Sequence, residues 1–331
     1  MKNLSIIIVN YNSISLIGNC INSIEQLGLN STEIIIIDNS SEDPTSLLQQ
    51  FPFIQWHDMG YNAGFARANN KGIQLAKGEV VLLLNPDVII KEDAIEKCYR
   101  RFVASPYVAC GVQLLNPDQS PQISGSYFMK GGLNHFLPLP FMGDFFKRLG
   151  GLVNVKKTSI KEAVGVVEVD WINGAFLMVK RSALEKAGLL DEDFFLYAEE
   201  IEWCSRLRRQ GKLCIYGDLH VIHLQGETAN ETFDSEGKGY YNLFDRKGRQ
   251  IMLSNFVRIR KQFGAGWFLI HLLVYLATIP VFFIGLFFQK LIPSNKKYSL
   301  DQFSGFCKNL FYLLGKSVII LRNRPYFYKA L

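Results

Sequence analysis

Two acidic residues of this chain, Asp87 and Glu200, closely follow apolar stretches of sequence, where a carboxylate is unusual unless it has a function. Asp87 lies in the stretch VVLLLNPDVII, just after the aliphatic run that ends at Leu84. The strand that this run predicts would end there and present Asp87 to a ligand, with a plain loop between two strands as the alternative. Glu200 follows the aromatic stretch FFLYA and is preceded by Glu199. Acids are favoured at any helix N-terminus, but the aromatic residues predict a buried helix start, where an acid needs a function.

The acids of the stretch AEEIEW differ in direction on the predicted helix. Glu199 and Glu202 share one face, because residues three apart are neighbours on a helix surface. Glu200 points about 100° away from Glu199. Glu199 and Glu200 are therefore expected to face different surroundings.

Polar side chains also close the first two predicted strands. Asn10 follows the run LSIIIV, and Asp38 follows EIIII. Either residue alone could be a helix N-cap, a position that Asn and Asp favour. Three polar groups in succession, counting Asp87, on strands expected to be neighbours favour a nucleotide pocket at the carboxyl ends of the strands.

A stretch punctuated by glycines, GYNAGFARANNKG, lies between the third and fourth predicted strands. Its glycines permit tight turns, and Asn62, Arg67 and Asn69 offer polar groups near a predicted helix start, a place that favours anions. The stretch is neither GxGxxG nor a Walker A motif, so neither a dinucleotide site nor a P-loop is predicted. A glycine-rich helix cap without a ligand explains it equally well.

Two histidines lie three residues apart in HVIHLQGET. On a strand, His220 and His223 would face opposite sides, so both cannot serve one site. Lone histidines are most often ordinary core or surface groups. As a metal or phosphate partner of Asp87, His223 is the better candidate, because it lies next to the predicted loop LQGET.

The elements that must position these residues alternate in type along the first part of the chain. Continuous aliphatic runs predict four strands, at LSIIIVN, EIIIIDN, FIQWHD and EVVLLLN. Helical patterns separate them, at residues 16–27, 44–50 and 64–76. Alternation with short connections predicts an α/β fold with a doubly wound, mostly parallel sheet and helices on both faces.

The following region is less regular. Residues 116–165 contain Pro, Gly and aromatic residues and are expected to form loops over the sheet. The stretch GVVEVDWINGAFLMVKRSAL predicts two strands and a helix start. Residues 198–210 predict a helix that Gly211 ends, and KLCIYGDLHVIHLQG predicts one or two further strands.

Charge is distributed unevenly along the 331 residues. Residues 246–331 carry 14 Lys and Arg and one acid, a surplus of 13 positive charges, whereas residues 1–245 carry 22 Lys and Arg and 29 Asp and Glu. The chain is therefore predicted to divide into an α/β domain at residues 1–240 and a basic, apolar helical region at residues 241–331. Six cysteines without a CxxC pair are typical of reduced thiols in an intracellular protein, and no signal peptide is expected.

The basic region holds the longest apolar stretch, residues 267–289, which is long enough to span a bilayer. Cations lie on both sides of it, so no orientation follows. Residues 303–321 predict an amphipathic helix. Its expected apolar face is formed by Phe303, Phe306, Leu310, Leu314, Val318 and Leu321. Apolar sequence flanked by cations suits an anionic membrane surface better than nucleic acid, and a lid packed on the rest of the protein is the alternative.

Several stretches together resemble one family. They are SIIIVNYNS, IIIIDNSSED, GYNAGFARANNKG, LLLNPDV, WINGAFLMVKRSALEKAGLLDEDFFLYAEEIEWCSRLRRQG and HVIHLQGET. Their order and distances resemble those of the inverting nucleotide-sugar glycosyltransferases of family 2, which have the GT-A fold. Within that family, the chain looks most like the rhamnosyltransferase-like enzymes of bacterial surface-polysaccharide synthesis. The resemblance covers about residues 3–230.

The resemblance implies a role for each candidate residue. NPD occupies the place of the family's DxD motif, so Asp87 would hold Mg²⁺ or Mn²⁺ against the donor diphosphate, and His223 would assist the metal or the diphosphate. Glu200 would be the general base that takes the proton of an acceptor hydroxyl in an inverting displacement. Glu199 is the fallback base, and Asp193 or Glu202 would be tested next. The residues expected to bind the donor are Asn10, Asp38, Asn62, Arg67, Asn69 and Asn85.

Two positions depart from the family pattern. Asn85 replaces the first acid of DxD, which lowers the charge of the metal site by one and makes the metal requirement an open question. The position of the base more often carries Asp, so Glu200 extends the carboxylate by one methylene.

The resemblance also implies partners and a location. The expected donor is dTDP-rhamnose, with a UDP-hexose as the alternative, and the expected acceptor is a glycan or a polyprenyl-diphosphate-linked sugar. The predicted location is the cytoplasmic face of the inner or plasma membrane. A nucleotidyltransferase would need a basic, glycine-rich loop after the first strand, which VNYNSISLIGN lacks. A non-catalytic sugar-binding protein would not need both Asp87 and Glu200.

Overall fold

The computed structural model describes residues 3–25, 31–152, 160–224, 233, 235, 242–290 and 297–330. The chain divides into two compact units. The first unit contains Met1–Tyr127, Ser159–Phe195 and Glu199–Thr228. The second contains Phe128–Thr158, Leu196–Ala198 and Ala229–Leu331, so two of its segments come from before residue 240. The predicted boundary between residues 240 and 241 lies outside the described residues.

Strands of the first unit form one large sheet and one small one. In chain order the strands are β1 Leu4–Asn10, β2 Thr32–Asp38, β3 Gln55–Asp58, β4 Val80–Leu84, β5 Val88–Ile90, β6 Ala109–Leu115, β7 Gly125–Ser126, β8 Val166–Val169, β9 Trp171–Ile172, β10 Phe176–Lys180 and β11 Leu213–His223. The order in the large sheet is β3-β2-β1-β4-β10-β6-β11-β5, with β8 paired to β11, and β7 pairs with β9.

The large sheet is mixed. Strands β1 to β4 run parallel to one another, and β6 runs parallel to β11. β10 is antiparallel to both of its neighbours, and β5 and β8 are antiparallel to β11. Every residue of β1 and β4 is buried, which explains why these strands are aliphatic without alternation. The predicted α/β fold is confirmed. The parallel strands are the ones that continuous aliphatic runs in the sequence predict most clearly.

Helices occur in both units. In chain order they are α1 Ile14–Glu25, α2 Thr45–Gln50, α3 Gly64–Leu75, α4 Ala94–Val103, α5 Gly143–Leu152, α6 Arg181–Ala187, α7 Glu199–Leu207, α8 Arg246–Phe263, α9 Ala265–Lys290 and α10 Leu300–Arg322, with a 3₁₀ helix at Lys130–Phe136. The prediction of loops throughout residues 116–165 was therefore wrong for the 3₁₀ helix and α5. Pro138 and Pro140 lie in the turn between the two helical segments, whereas Gly131 and Gly132 lie inside the 3₁₀ helix. The Phe136 and Phe146 rings of the two segments lie 5.0 Å apart.

In the second unit, α9 packs along α8 and α10 through one of its faces. Side chains spaced by three or four residues are buried there, namely Phe268, His271, Tyr275, Thr278, Phe282 and Leu286. The two polar members of this face have partners inside the unit. His271 Nε2 lies 3.1 Å from the Gly132 carbonyl oxygen, and the Thr278 hydroxyl donates to the Val274 carbonyl over 2.8 Å.

The amphipathic helix predicted at residues 303–321 is present as α10, but its buried face is rotated from the expected one. Phe306 and Leu310 are buried as predicted, whereas Val318 is 55 % exposed. Asn309 is buried on the same face and donates to the carbonyl oxygens of Leu243 and Asp245. The apolar pattern alone missed this polar anchor, because a satisfied buried amide has no hydrophobic signal.

Candidate active site

Asn10 and Asp38 lie side by side at the carboxyl ends of β1 and β2, which place them opposite each other in parallel register. Both side chains are buried, and Asn10 Nδ2 donates to Asp38 Oδ1 over 2.8 Å. Asp38 Oδ1 also accepts from the backbone N–H and the hydroxyl of Ser40. Asp38 Oδ2 has no hydrogen-bond partner among the described residues, so this oxygen stays available.

Asn10 holds two loops together. Its Nδ2 also lies 3.0 Å from Ser40 Oγ and 2.9 Å from Glu42 Oε2. Its Oδ1 accepts from the backbone N–H and the hydroxyl of Ser13, the residue before α1. Asn10 is not the N-cap of α1, because the Ser13 carbonyl accepts the first helical bond, from the Ile17 N–H over 3.0 Å. Sequence reasoning missed Ser13, Ser40 and Glu42, because single polar residues in a polar loop carry no periodic signal.

The NPD turn joins β4 to β5 and places Asp87 beside a residue distant in sequence. β5 pairs with β11 so that His223 lies opposite Val88, and the Leu224 N–H donates to the Asp87 carbonyl over 3.0 Å. Asp87 Oδ1 and His223 Nε2 are 3.4 Å apart, and both side chains are buried. Asn85 Nδ2 lies 3.5 Å from the same ring nitrogen. The turn does connect two strands, as the alternative prediction had it, and it also places a carboxylate beside an imidazole ring.

This pair fits part of a divalent-cation site. A carboxylate oxygen and an imidazole nitrogen are ligands that Mn²⁺ accepts, and Mg²⁺ is commonly held by one or two carboxylates plus substrate phosphates. Among the described residues, no group of three or more His, Cys, Asp or Glu side chains could hold a metal ion. Asp87 and His223 would therefore supply a minority of the ligands, and Asn85 removes the charge that a second acid would add.

β11 separates the two histidines as predicted. His220 is exposed, whereas His223 is buried on the other side of the strand. Gln122 Oε1 lies 2.9 Å from His223 Nδ1, and sequence reasoning missed this contact because residues 116–165 carried no regular pattern. Residues 225–228 of the predicted loop LQGET lie outside the described residues.

The three polar candidates at the start of α3 have different surroundings. Asn62 Oδ1 accepts from the Gly64 N–H and shapes the turn that opens the helix. Arg67 is half-buried, and its Nε donates to the Glu192 carbonyl over 3.2 Å. Asn69 is fully buried and donates to the Phe65 carbonyl one turn earlier, while its Oδ1 has no partner among the described residues.

Gly64 allows the start of α3 to lie directly against the segment that precedes α7. Its φ is +75°, and a β-carbon there would lie 2.3 Å from the Phe195 carbonyl oxygen. That carbonyl accepts from the Phe65 N–H over 2.8 Å. Farther along the helix, the side chain of Asn70 bonds both the N–H and the carbonyl of Leu190. The glycine stretch and the stretch LLDEDFF are therefore one packed structure.

All three acids at the start of α7 are buried, as the aromatic residues before them predicted. The chain enters the helix through two non-glycine residues in the left-handed region, Tyr197 at φ 71° and Ala198 at φ 68°. Such strained backbone occurs most often at functional sites. Glu202 accepts a bidentate pair of bonds from Arg206 one turn later, at 2.8 to 3.0 Å. Its charge therefore has a structural partner on the same helix.

A short turn links the base candidate to the NPD turn. The Asn85 N–H donates to the Ala175 carbonyl over 3.1 Å. A β-carbon on the adjacent Gly174 would lie 3.6 Å from the β- and γ-carbons of Glu200 and 3.7 Å from the Phe65 ring. Glu200, the start of α3 and the NPD turn thus meet around residues 173–175.

Cys204 lies one turn after Glu200 and is not suited to nucleophilic catalysis. Burial raises the pKa of its thiol to about 12, and the charges of Glu200 and Glu202 add to this effect. The thiolate is the reactive form of cysteine, so at neutral pH this side chain is inert.

The fold is of the mixed α/β type with buried polar groups at the ends of strands, and comparison with known proteins gives the family. The profile described as glycosyl transferase family 2 matches residues 5–160. The low-salt glycan biosynthesis hexosyltransferase Agl10 of Haloferax volcanii is 32% identical over 74% of this chain and 75% of its own length. This chain therefore belongs to glycosyl transferase family 2 and is a glycosyltransferase.

Other relatives carry rhamnosyltransferase names. Rhamnosyltransferase WbbL of Escherichia coli K12 is 28% identical over 58% of this chain and 73% of its own length. The N-acetylglucosaminyl-diphospho-decaprenol L-rhamnosyltransferase of Mycobacterium tuberculosis is 27% identical over 57% of this chain and 66% of its own length. These matches confirm the resemblance to the rhamnosyltransferase-like enzymes and the assignment to glycan synthesis.

One solved structure supports the fold. The crystal structure of GalNAc-T7 with UDP, GalNAc and Mn²⁺ superposes with a TM-score of 0.50 at 16% sequence identity. The superposed part covers 67% of this chain and 43% of that one. At this identity the similarity concerns the fold alone, and it agrees with the GT-A type of sheet.

Proposed function

We propose that this glycosyltransferase moves a sugar, best matched by rhamnose from dTDP-rhamnose, to a hydroxyl of a lipid-linked or polysaccharide acceptor, with inversion at the anomeric carbon. The observation that carries the proposal is the meeting of two buried carboxylate sites around residues 173–175. Asn85 of the NPD turn bonds to Ala175, and Glu200 packs beside Gly174. A diphosphate leaving group at the first site and an acceptor hydroxyl at the second would flank one sugar.

Glu200 is the base in this mechanism. Its carboxylate takes the proton of the acceptor hydroxyl while that oxygen attacks the anomeric carbon. The bond from the anomeric carbon to the diphosphate oxygen breaks in the same step, and the electron pair leaves with the nucleoside diphosphate. Attack from the face opposite the leaving group inverts the configuration. Glu202 is a weaker candidate than Glu200, because Arg206 engages both of its oxygens.

The donor diphosphate is assigned to the carboxyl ends of β1, β2 and β4. Asp87 and His223 would hold Mg²⁺ or Mn²⁺, and such an ion, when bound, neutralises charge on the departing diphosphate. Asp38 offers its Oδ2 to the nucleoside, and Asn10 keeps Asp38 in place. Asn62 in the turn before α3 and Arg67 on that helix are assigned to the donor as well, whereas buried Asn69 supports the helix from inside.

The donor itself is chosen between two close alternatives. The rhamnosyltransferase names of two relatives favour dTDP-rhamnose, whereas the relative with 32% identity is named a hexosyltransferase, which keeps a UDP-hexose as the alternative. A screen of dTDP-, UDP- and GDP-sugars, with release of the nucleoside diphosphate as the signal, separates them. Release from dTDP-rhamnose in the presence of a polyprenyl-diphosphate-linked sugar supports the proposal. Release only from a UDP-hexose would change the assigned donor to that sugar nucleotide and leave the proposed mechanism unchanged.

We also assign the exposed face of α9 to an anionic lipid surface on the cytoplasmic side, where nucleotide sugars are. Eight apolar side chains, 38 % to 66 % exposed, form the face opposite the buried one, namely Leu269, Ile270, Leu273, Val281, Phe283, Ile284, Phe287 and Phe288. Residues 246–331 add a surplus of 13 positive charges. By length and composition α9 is also long enough to cross a membrane.

The buried face of α9 favours an in-plane position over a span. A helix that crosses the bilayer by itself would expose all of its faces to lipid, including polar side chains. In α9 the polar His271 and Thr278 face inward, where His271 Nε2 lies 3.1 Å from the Gly132 carbonyl oxygen and the Thr278 hydroxyl lies 3.2 Å from Met142 Sδ. The exposed strip would therefore enter the interfacial layer from the side, as amphipathic surface helices do.

A further inference from the structure

The imidazole of His223 is held from the side opposite Asp87. Gln122 is buried, and its Oε1 lies 2.9 Å from His223 Nδ1. The backbone of His223 is fixed independently by the pairing of β11 with β5. Gln122 therefore contacts the ring through its amide oxygen and the His223 backbone through its NH₂ group, from a segment about a hundred residues away in sequence.

The neighbours of Gln122 determine which end of its amide faces the ring. Gln122 Nε2 lies 2.7 Å from the His223 carbonyl oxygen, 3.5 Å from the Leu115 carbonyl oxygen and 2.7 Å from Asn116 Oδ1. A backbone carbonyl can only accept a hydrogen bond, so the amide atom beside it must be the NH₂ group. The amide oxygen then faces Nδ1 of His223. Because an amide oxygen also only accepts, Nδ1 must carry the proton.

This assignment leaves the other ring nitrogen as an acceptor. In neutral imidazole one nitrogen is protonated and the other has a free electron pair, which in this ring is Nε2. Nε2 lies 3.4 Å from Asp87 Oδ1, which is also an acceptor when ionised. Nε2 and Asp87 Oδ1 are thus two electron-rich atoms that face each other, with Asn85 Nδ2 3.5 Å from the same ring nitrogen, and a cation near both acceptors would be favourable. Histidines that bind metals usually donate their other N–H to a fixed oxygen in this way.

We propose that Gln122 is a positioning residue that selects the tautomer of His223 with Nε2 free and aims this nitrogen, together with Asp87, at a divalent cation. The imidazole ligand would make the site accept Mn²⁺ more readily than a site of carboxylates alone, because nitrogen ligands suit transition metals better than Mg²⁺. The inference rests on the metal part of the proposed function and adds a residue that does not touch the metal or the donor.

The test reads the tautomer directly. In the full-length protein labelled with ¹⁵N-histidine, long-range ¹H–¹⁵N correlation spectra distinguish the two neutral tautomers and the imidazolium, and a His223→Ala spectrum assigns the signal. We expect the wild type to carry its proton on Nδ1. Gln122→Met keeps the volume but removes the acceptor, so the Nε2-protonated form should appear.

Asn116→Ala is the matched control. It removes one partner of Gln122 Nε2 and leaves the bond between Gln122 Oε1 and the ring, so the tautomer should not change. Because the carbonyl oxygen of His223 still bonds Nε2, the orientation of the amide should persist. A loss of the wild-type tautomer in Asn116→Ala, with the protein folded, would show that loop packing and not the amide oxygen selects it, which overturns the proposal.

Metal binding gives a second readout. Mn²⁺ is titrated and followed by the loss of the free-ion EPR signal, alone and with excess dTDP or UDP. Gln122→Met should weaken Mn²⁺ binding about 10- to 100-fold, and Asn116→Ala should stay close to the wild type. Unchanged affinity and tautomer in Gln122→Met would overturn the inference, as would a wild-type His223 protonated on Nε2 or on both nitrogens.

Failure of the inference can be told apart from failure of the proposed transferase. If the wild type binds no Mn²⁺ under any of these conditions, the positioning role is overturned. Release of nucleoside diphosphate from a donor by the same sample would then show that sugar transfer proceeds without this metal site. Absence of release with every donor, beside normal Mn²⁺ binding and the expected tautomers, would instead count against the proposed function.

Discussion

The two buried acidic sites of this enzyme are built in opposite ways. Asp87 contacts His223, whose ring in turn contacts Gln122, and these residues come from distant parts of the chain. The acids of α7 are neighbours in sequence and lie within one helical turn, where the macrodipole favours them. A site made of distant segments needs correct strand pairing, whereas a helix start needs only local structure and burial. Variants at the two sites should therefore fail for different reasons.

The largest effect on turnover is expected from substitution of Asp87. Asp87→Ala should reduce turnover by ~10⁴-fold or more, because loss of the carboxylate removes several kcal/mol of charge stabilisation at the leaving diphosphate. The thermal melt should change little, since Asp87 lies in a turn and not in the aliphatic core. EDTA should lower wild-type activity, and Mn²⁺ should restore it. A fully active Asp87→Ala protein with an unchanged thermal melt would show that Asp87 is not part of the active site.

At the helix start, Glu200→Gln should lower kcat by about 10²–10⁴-fold and leave donor binding close to the wild type. Gln is nearly isosteric but cannot take up a proton, so the decline of rate at acidic pH should also disappear. Glu199→Gln is the matched control on the same turn and should lose much less. If the two variants exchange these results, Glu199 is the base.

The membrane assignment is tested by comparing exposed aromatic positions of the two units. Phe283→Glu with Phe287→Glu removes two side chains from the exposed strip of α9, each worth about 1.5–3 kcal/mol when buried in apolar surroundings. Flotation with phosphatidylglycerol vesicles should then weaken by ~10²-fold or more. Phe53→Glu, at a position 49 % exposed in the first unit, should float like the wild type. Equal flotation of all three proteins contradicts docking through α9.

The smallest catalytic effect is expected at Glu202. Its bidentate partner Arg206 gives it a structural role, so Glu202→Gln should lower stability while kcat stays near the wild type. The loss should fall between the ~1 kcal/mol of exposed ion pairs and the ~3–5 kcal/mol of buried ones. Chemical denaturation measures it. A large loss of kcat without a loss of stability would move the base from Glu200 to Glu202.

Sequence reasoning was most accurate where one physical signal dominated. Continuous aliphatic runs predicted β1, β2 and β4 because strands buried on both faces need apolar residues at every position. It was least accurate in residues 116–165, where Pro and Gly hid two helical segments, and at Val318, where the periodic pattern predicted burial of an exposed side chain. The 3.6-residue period predicts a helix face but not that the buried face includes the polar side chain of Asn309.

The amino-acid sequence by itself determined the α/β class, the polar residues at strand ends and the buried acids of α7, because each depends on neighbours within a few residues. The family motifs fall on the same positions. Only the tertiary structure decided that Asn10 bonds Asp38, that Asp87 faces His223 and that Gln122 orients the ring. Those contacts join residues 28 to more than 100 positions apart, and strand order and register, which no local pattern encodes, bring them together.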